Sequence, residues 1–119
     1  MTHHLTAEHI TDEMRECITR CSDCHNVCLE TVTHCLTIGG EHAAVEHIRL
    51  LLDCVEICAT SRDFMLRGSE YHARICGASA EICSRYAQWA ADVAGPDEQM
   101  RRCAEECERC AESCRRMAG

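Results

Sequence analysis

Lysine is missing from this sequence: all 12 basic residues are arginine, set against 20 acidic ones, for a formal charge of −8 with histidine neutral. An acidic surface repels phosphate backbones and argues against nucleic acid as a partner. Aromatics are scarce, and Phe64, Tyr71, Tyr86 and Trp89 show too little pattern for a cofactor box and are expected to pack. Hydrocarbon is thin as well: Leu, Ile, Val and Phe make up about 17 % of the chain, little to set against the entropy of ordering it. No apolar run is long enough to span a membrane, and the N-terminal MTHHLTAEHITDEM lacks the basic and apolar halves of an export signal. The expected location is therefore the cytosol. Also missing are a glycine-rich phosphate loop, an HExxH-type metal site, and a privileged CxxC at a helix start, so the expectation is a protein that is not an enzyme.

What fills the gap is sulfur. Thirteen of the 119 residues are cysteine, well above the level that marks a cysteine-dominated scaffold. In a reducing compartment, clustered thiols point to metal or redox chemistry rather than to a disulfide framework. An odd number cannot pair completely, and neighbours on one helical face would compete for every partner. Packing alone accounts for one or two buried thiols, not for thirteen.

Length allows one domain, residues 1–119. Gly39-Gly40, Gly68-Ser69 and Gly95-Pro96-Asp97 divide it into four comparable pieces, predicted as helices over approximately 6–38, 41–67, 69–94 and 97–117. Pro96-Asp97-Glu98 reads as a helix opening, and Arg115 and Arg116 complement the negative end of the last helix. Cysteines 17, 21, 24, 28 and 35 form one stripe in the first piece, extended upstream by Met14 and Ile10. The last piece repeats the rule with Met100, Cys103, Cys107, Cys110, Cys114 and Met117. His47, Leu51, Cys54, Cys58, Ser61 and Met65 share a face in the second, and His72, Cys76, Ala80, Cys83, Ala87 and Ala90 in the third. Carboxylates such as Glu16, Asp23, Glu30, Glu46, Asp53, Glu56 and Asp63 fall on the opposite faces. The fold class that results is all-α, an antiparallel up-down four-helix bundle with a cysteine-lined core.

Five CxxxC pairs occur, at 17/21, 24/28, 54/58, 103/107 and 110/114. Residues four apart on a helix carry side chains on one face, close enough for two sulfurs to share an ion. Soft thiolates select Cu(I), zinc or iron–sulfur clusters. Zinc needs four ligands per site, so the thiols close at most about three such sites, and the inner helices supply only two each. Ferredoxin-type ligation usually wraps a loop around its cluster, whereas these cysteines lie along stiff helices. A polynuclear Cu(I) core with bridging thiolates uses all thirteen, namely Cys17, Cys21, Cys24, Cys28, Cys35, Cys54, Cys58, Cys76, Cys83, Cys103, Cys107, Cys110 and Cys114. A zinc-binding structural or interaction module and a thiol redox protein are the alternatives.

Antiparallel topology puts Cys35, His47, Ala90 and Met100 at one end and Met14, Met65, His72 and Met117 at the other. Thioethers and imidazoles bind Cu(I) without sealing it in, so both ends are candidate entrances, and plugging the bundle ends is the plainer role for methionine. His3, His4 and His9 are expected to be solvated, and His25 to sit off the stripe.

The segments CITRCSDCHNVCLETVTHCL at 17–36, DCVEIC at 53–58 and RRCAEECERCAESCRRMAG at 101–119 resemble the bacterial copper storage proteins of cytosolic type. With the four-piece plan, the resemblance covers nearly the whole chain. It implies a homotetrameric four-helix bundle that stores or detoxifies multiple Cu(I) ions, exchanges them with copper donors and acceptors, and uses every cysteine as a candidate ligand. His34 beside Cys35 matches the family's His-Cys pair. The chain departs at Ala80, Ala87 and Met100, where the family's stripe usually continues in cysteine, which implies a smaller capacity than in the richest members. It also lacks a His-rich junction between the third and fourth helices, for which His42 and His47 are the candidate substitutes.

Overall fold

The computed structural model describes residues 8–119. Four helices carry the chain: α1 (Asp12–Ile38), α2 (Val45–Leu66), α3 (His72–Val93) and α4 (Glu98–Ala118), with a short 3-10 turn at Gly40–Ala43 between the first two. Each helix packs on its sequence neighbours and α1 closes against α4, while the diagonal pairs meet only through core side chains, Cys24 with Cys83 and Cys58 with Cys110 among them. That is an antiparallel up-down bundle, as its short connections require.

The helix ends follow local chemistry and shift the predicted boundaries. Thr11 caps α1 through a 3.1 Å hydrogen bond from the Met14 N–H, with Asp12 and Glu13 in the first turn, so α1 begins at Asp12 rather than near residue 6. Residue 6 itself, with His3 and His4, lies outside the described residues. His9 is half-buried instead of solvated, its Nε2 lying 2.9 Å from the Met65 carbonyl oxygen. Gly39 and Gly40 take φ of 77° and 60°, left-handed values that stop α1 and throw Glu41 and His42 onto the 3-10 turn instead of the start of α2. Ser69 to Tyr71 form a turn that delays α3 to His72. Asp97 caps α4 by accepting the Met100 N–H at 2.8 Å, which leaves Pro96 just before the helix rather than in its first turn.

Side chains facing the axis are small. All thirteen cysteines are completely inaccessible to solvent, with Leu51, Tyr86, Met65 and Met100 as the largest buried neighbours. Ala80 and Ala87 are buried in the same core, and a Cβ at Gly77 would lie only 3.7 Å from that of Ala118, so α3 and α4 approach closely there. The predicted acidic faces are exposed. Of the four aromatics expected to pack, Tyr86 is fully buried and Trp89 and Phe64 partly so, but Tyr71 is 54 % exposed in the turn before α3.

Candidate metal centre

The four stripes converge on a continuous array of sulfur. Cys17 and Cys21 of α1 lie 3.7 and 3.6 Å from Cys114 of α4. Cys110 links Cys114, Cys21 and Cys58 at 3.9, 3.9 and 3.8 Å. Cys58 lies 3.5 Å from Cys83, Cys83 lies 4.0 Å from Cys24, and Cys24 is 3.5 Å from Cys107. Cys28 extends the array with contacts to Cys107 and Cys103 at 3.5 and 3.6 Å. Four groups have every sulfur within 4.8 Å of the others: Cys24, Cys58, Cys83 and Cys110; Cys17, Cys76 and Cys114; Cys21, Cys110 and Cys114; and Cys24, Cys28 and Cys107.

These separations suit ions directly. With metal–sulfur bonds of about 2.3 Å, a trigonal ion holds its sulfurs about 4.0 Å apart, a tetrahedral one about 3.8 Å and a linear one about 4.6 Å. The groups share Cys24, Cys110 and Cys114, so neighbouring ions would be bridged through common sulfurs. Cys35, Cys54 and Cys103 fall outside the four groups, Cys103 joining the array through Cys28 and Cys54 directing its thiol to the Ile82 carbonyl oxygen at 3.9 Å. All thirteen thiols are free.

Hydrogen bonding splits the acidity of adjacent thiols. Bonds from Cys110, then Cys17, Cys21 and Cys76, hold Cys114 below the usual thiol range, while Cys110 and Cys76 are pushed above it chiefly by their contacts with Cys114. Cys35 has no sulfur neighbour in hydrogen-bond contact and is pushed up to about 11 by burial, then by the negative charges of Asp97 and Cys103. Thiols raised in this way enter a metal complex by giving up a proton, so metal affinity rises with pH.

Around Cys35 the end of the bundle is polar. His34 Nε2 lies 2.8 Å from Asp97 Oδ2, and His42 Nδ1 is 4.0 Å from the same oxygen. Burial opposes the Asp97 carboxylate, but hydrogen bonds from His34 and the Met100 N–H, with the charge of His34 and His42, outweigh it and hold it below the usual range. His42 Nδ1 is buried without a hydrogen-bond partner. A cavity of about 60 Å³ opens here between Glu41, His42, His47, Trp89, Val93 and Met100. His47, a candidate for metal access, has both ring nitrogens engaged, Nδ1 with the His42 carbonyl at 2.7 Å and Nε2 with Tyr86 Oη at 3.0 Å. Its burial pushes the imidazole pKa down, so the ring is neutral at pH 7.

The opposite end is closed. Met65 is fully buried, Met14 nearly so, and Met117 half-buried. His72 Nδ1 lies 3.0 Å from the carbonyl oxygen of Ser69. His25, off the stripe as expected, reaches across to the Val55 carbonyl at 2.8 Å. Sequence reasoning missed Asp97 as the residue that ties His34 to α4, and Ser79, whose spacing three after Cys76 and four before Cys83 was the available signal.

Fold and site together define a four-helix bundle whose sulfur-lined interior is arranged to hold several soft metal ions. Residues 10–119 match the family described as Csp, copper storage protein, and the chain belongs to that family. Among solved structures, the Nmul_A1745 protein of Nitrosospira multiformis is similar at 42 % identity and TM-score 0.84, covering 91 % of this chain and 97 % of that one. The Cu(I)-bound copper storage protein BsCsp3 is similar at 31 % identity and TM-score 0.84, covering 91 % of this chain and all of the other. The apo form of Csp3 from Bacillus subtilis is similar at 32 % identity and TM-score 0.79, over 88 % and 98 % of the two chains. A curated relative, the cysteine-rich protein YhjQ of Bacillus subtilis, is 36 % identical over 67 residues, a stretch that is 56 % of this chain and 62 % of that protein.

Proposed function

We propose that this chain stores Cu(I), holding multiple ions as cargo on its core cysteines for copper storage or detoxification. The observation that carries the reading is the linked array of sulfurs 3.5 to 4.0 Å apart along the bundle axis, with sulfurs shared between adjacent groups. Cu(I) is satisfied by two or three soft ligands and tolerates bridging thiolates. The ligand set comprises all thirteen cysteines: those in the four groups hold the main cluster, and Cys103, Cys54 and Cys35 extend it toward the polar end. Ions arrive from a small-molecule or protein donor, each thiol releases its one proton on first binding Cu(I), and four helices keep water and oxidant away.

Zinc fits less well, because among the described residues only one group offers the four ligands of a closed structural site. Thiol redox chemistry needs a partly exposed, activated cysteine, and every thiol here is buried. Metal number discriminates among the three: storage requires many Cu(I) ions per chain, whereas zinc would saturate at about three or fewer.

Copper enters at the polar end. His42 Nδ1 is buried there with no partner among the described residues, the neighbouring cavity is lined by Met100, and the buried Cys35 follows His34 in the chain. Met14, Met65, His72 and Met117 close the other end, and His47 orients the entrance through Tyr86 rather than ligating. Replacing His34 and His42 together by alanine is expected to slow anaerobic Cu(I) uptake several-fold in stopped-flow while leaving the final copper number unchanged. An unchanged uptake rate would move the entrance elsewhere.

The chain works in the cytosol as a homotetramer and has no catalytic role. No described helix is long and apolar enough to cross a membrane. A groove between α2 and α3, floored by Leu50, Ile82 and Trp89, carries Arg49 and Arg85 beside Glu46, Asp53 and Glu81, and a two-sign surface of this kind is self-complementary.

A further inference from the structure

One hydroxyl lies inside the sulfur array. Ser79 is completely buried on α3, and its Oγ is 3.5 Å from Cys114 Sγ, 3.9 Å from Cys83 Sγ and 4.0 Å from Cys58 Sγ. Those sulfurs belong to α4, α3 and α2, and to three of the four groups: Cys58 and Cys83 to the group of four, Cys114 to two of the groups of three. Ser79 therefore sits where the groups meet.

Oxygen is a poor ligand for a soft monovalent ion. What serine keeps, and the thiols lose, is a hydrogen to donate. In the empty core S–H groups satisfy one another, but each thiol gives up its one proton when it first binds Cu(I), so a filled core retains sulfur acceptors and no sulfur donors. The Ser79 hydroxyl holds its hydrogen throughout and can rotate it toward any of its three sulfur neighbours. A hydrogen bond to charged sulfur is also stronger than one to a neutral thiol.

Two other buried hydroxyls differ from Ser79 in having no sulfur in hydrogen-bond contact. Ser61, three residues after Cys58, and Ser113, immediately before Cys114, are 0 % and 1 % exposed, and neither Oγ has a hydrogen-bond partner. A serine within a helix can ordinarily turn its hydroxyl to the carbonyl four residues back.

We propose that Ser79 is a positioning residue for the copper store: its hydroxyl donates to the metal-bound sulfurs of Cys114, Cys83 and Cys58 without ligating, and so tightens retention of the ions held where those groups meet. This rests on the reading of the core as a Cu(I) store, and the test separates the two.

The full chain and its Ser79→Ala and Ser79→Cys variants would be reduced and checked for helix content by circular dichroism. Each would then be loaded anaerobically with Cu(I), assayed for bound copper, and challenged with a graded Cu(I) chelator while the sulfur-to-copper charge-transfer band is recorded. Ser79→Ala is expected to keep the native copper number but to surrender part of it at about ten- to a hundred-fold lower chelator strength. Its band is expected to move to lower energy, because sulfur relieved of a hydrogen bond donates electrons more readily. Ser79→Cys, with one more thiol in the same space, is expected to bind more copper than the native chain. An unchanged chelator profile and band in Ser79→Ala would overturn the proposal, and so would a reduced copper number, which would make the oxygen a ligand. A native copper number in Ser79→Cys would overturn it too, by placing residue 79 beyond reach of the ions. Failure of the native chain to take up many ions is a separate result, and it strikes the storage reading instead.

Discussion

Replacing Cys24 and Cys110 together by alanine is expected to remove more than half of the copper the chain holds. The reason is connectivity. Each of the two sulfurs belongs to two of the four close groups, so losing both breaks three and leaves only Cys17, Cys76 and Cys114 intact. Cys110 also joins Cys21 and Cys114 to Cys58, and Cys24 carries the array on to Cys107, so the break falls across the middle of the bundle. The matched control is Cys35→Ala with Cys54→Ala, which removes two thiols that lie outside every group. Cysteine to alanine deletes one heavy atom and leaves no unpaired polar group, so both doubles should fold. Metal analysis after anaerobic loading and desalting compares them, and equal losses from the two would show that the sulfurs act independently.

Filling the core is expected to raise the thermal midpoint by tens of degrees. One ion at a thousand times its dissociation constant stabilises the folded state by about 4.1 kcal/mol. In a domain of roughly a hundred residues, about 1 kcal/mol moves the midpoint by 4–8 °C. Several ions bridging four helices add such contributions within one core. The empty chain should still be helical, since the Thr11 and Asp97 caps, the buried Leu51, Val55 and Tyr86, and the close α3–α4 packing owe nothing to metal. Circular dichroism melts of the reduced empty and loaded forms measure both points. Coincident melts would show that copper does not occupy the folded interior.

The inward-facing residues were legible because cysteine marked its own helical period. Steps of three and four place each thiol on one face, and all thirteen are buried in the structure. The helix limits were less legible, because they depend on side-chain caps. Thr11 holds α1 back to Asp12, and the left-handed pair Gly39-Gly40 diverts Glu41 and His42 into a separate turn. That diversion also explains why the polar end was only partly foreseen. His34 on α1, His42 in the turn and Asp97 before α4 are far apart in sequence, and only the folded chain brings their side chains together. His47 looked equivalent to His42, yet both of its nitrogens are occupied, and no spacing rule could have distinguished the two. Ser79 escaped notice because serine on a helix is ordinary, and its meaning comes from sulfurs on three helices.

The most direct test is an anaerobic titration of the reduced empty chain with Cu(I), followed by gel filtration and metal analysis of the protein peak, whose elution position also reports the oligomeric state. Copper is expected to travel with the protein at many ions per chain, approaching the number of thiols. Saturation at one to three ions would contradict it and return the core to zinc or redox chemistry.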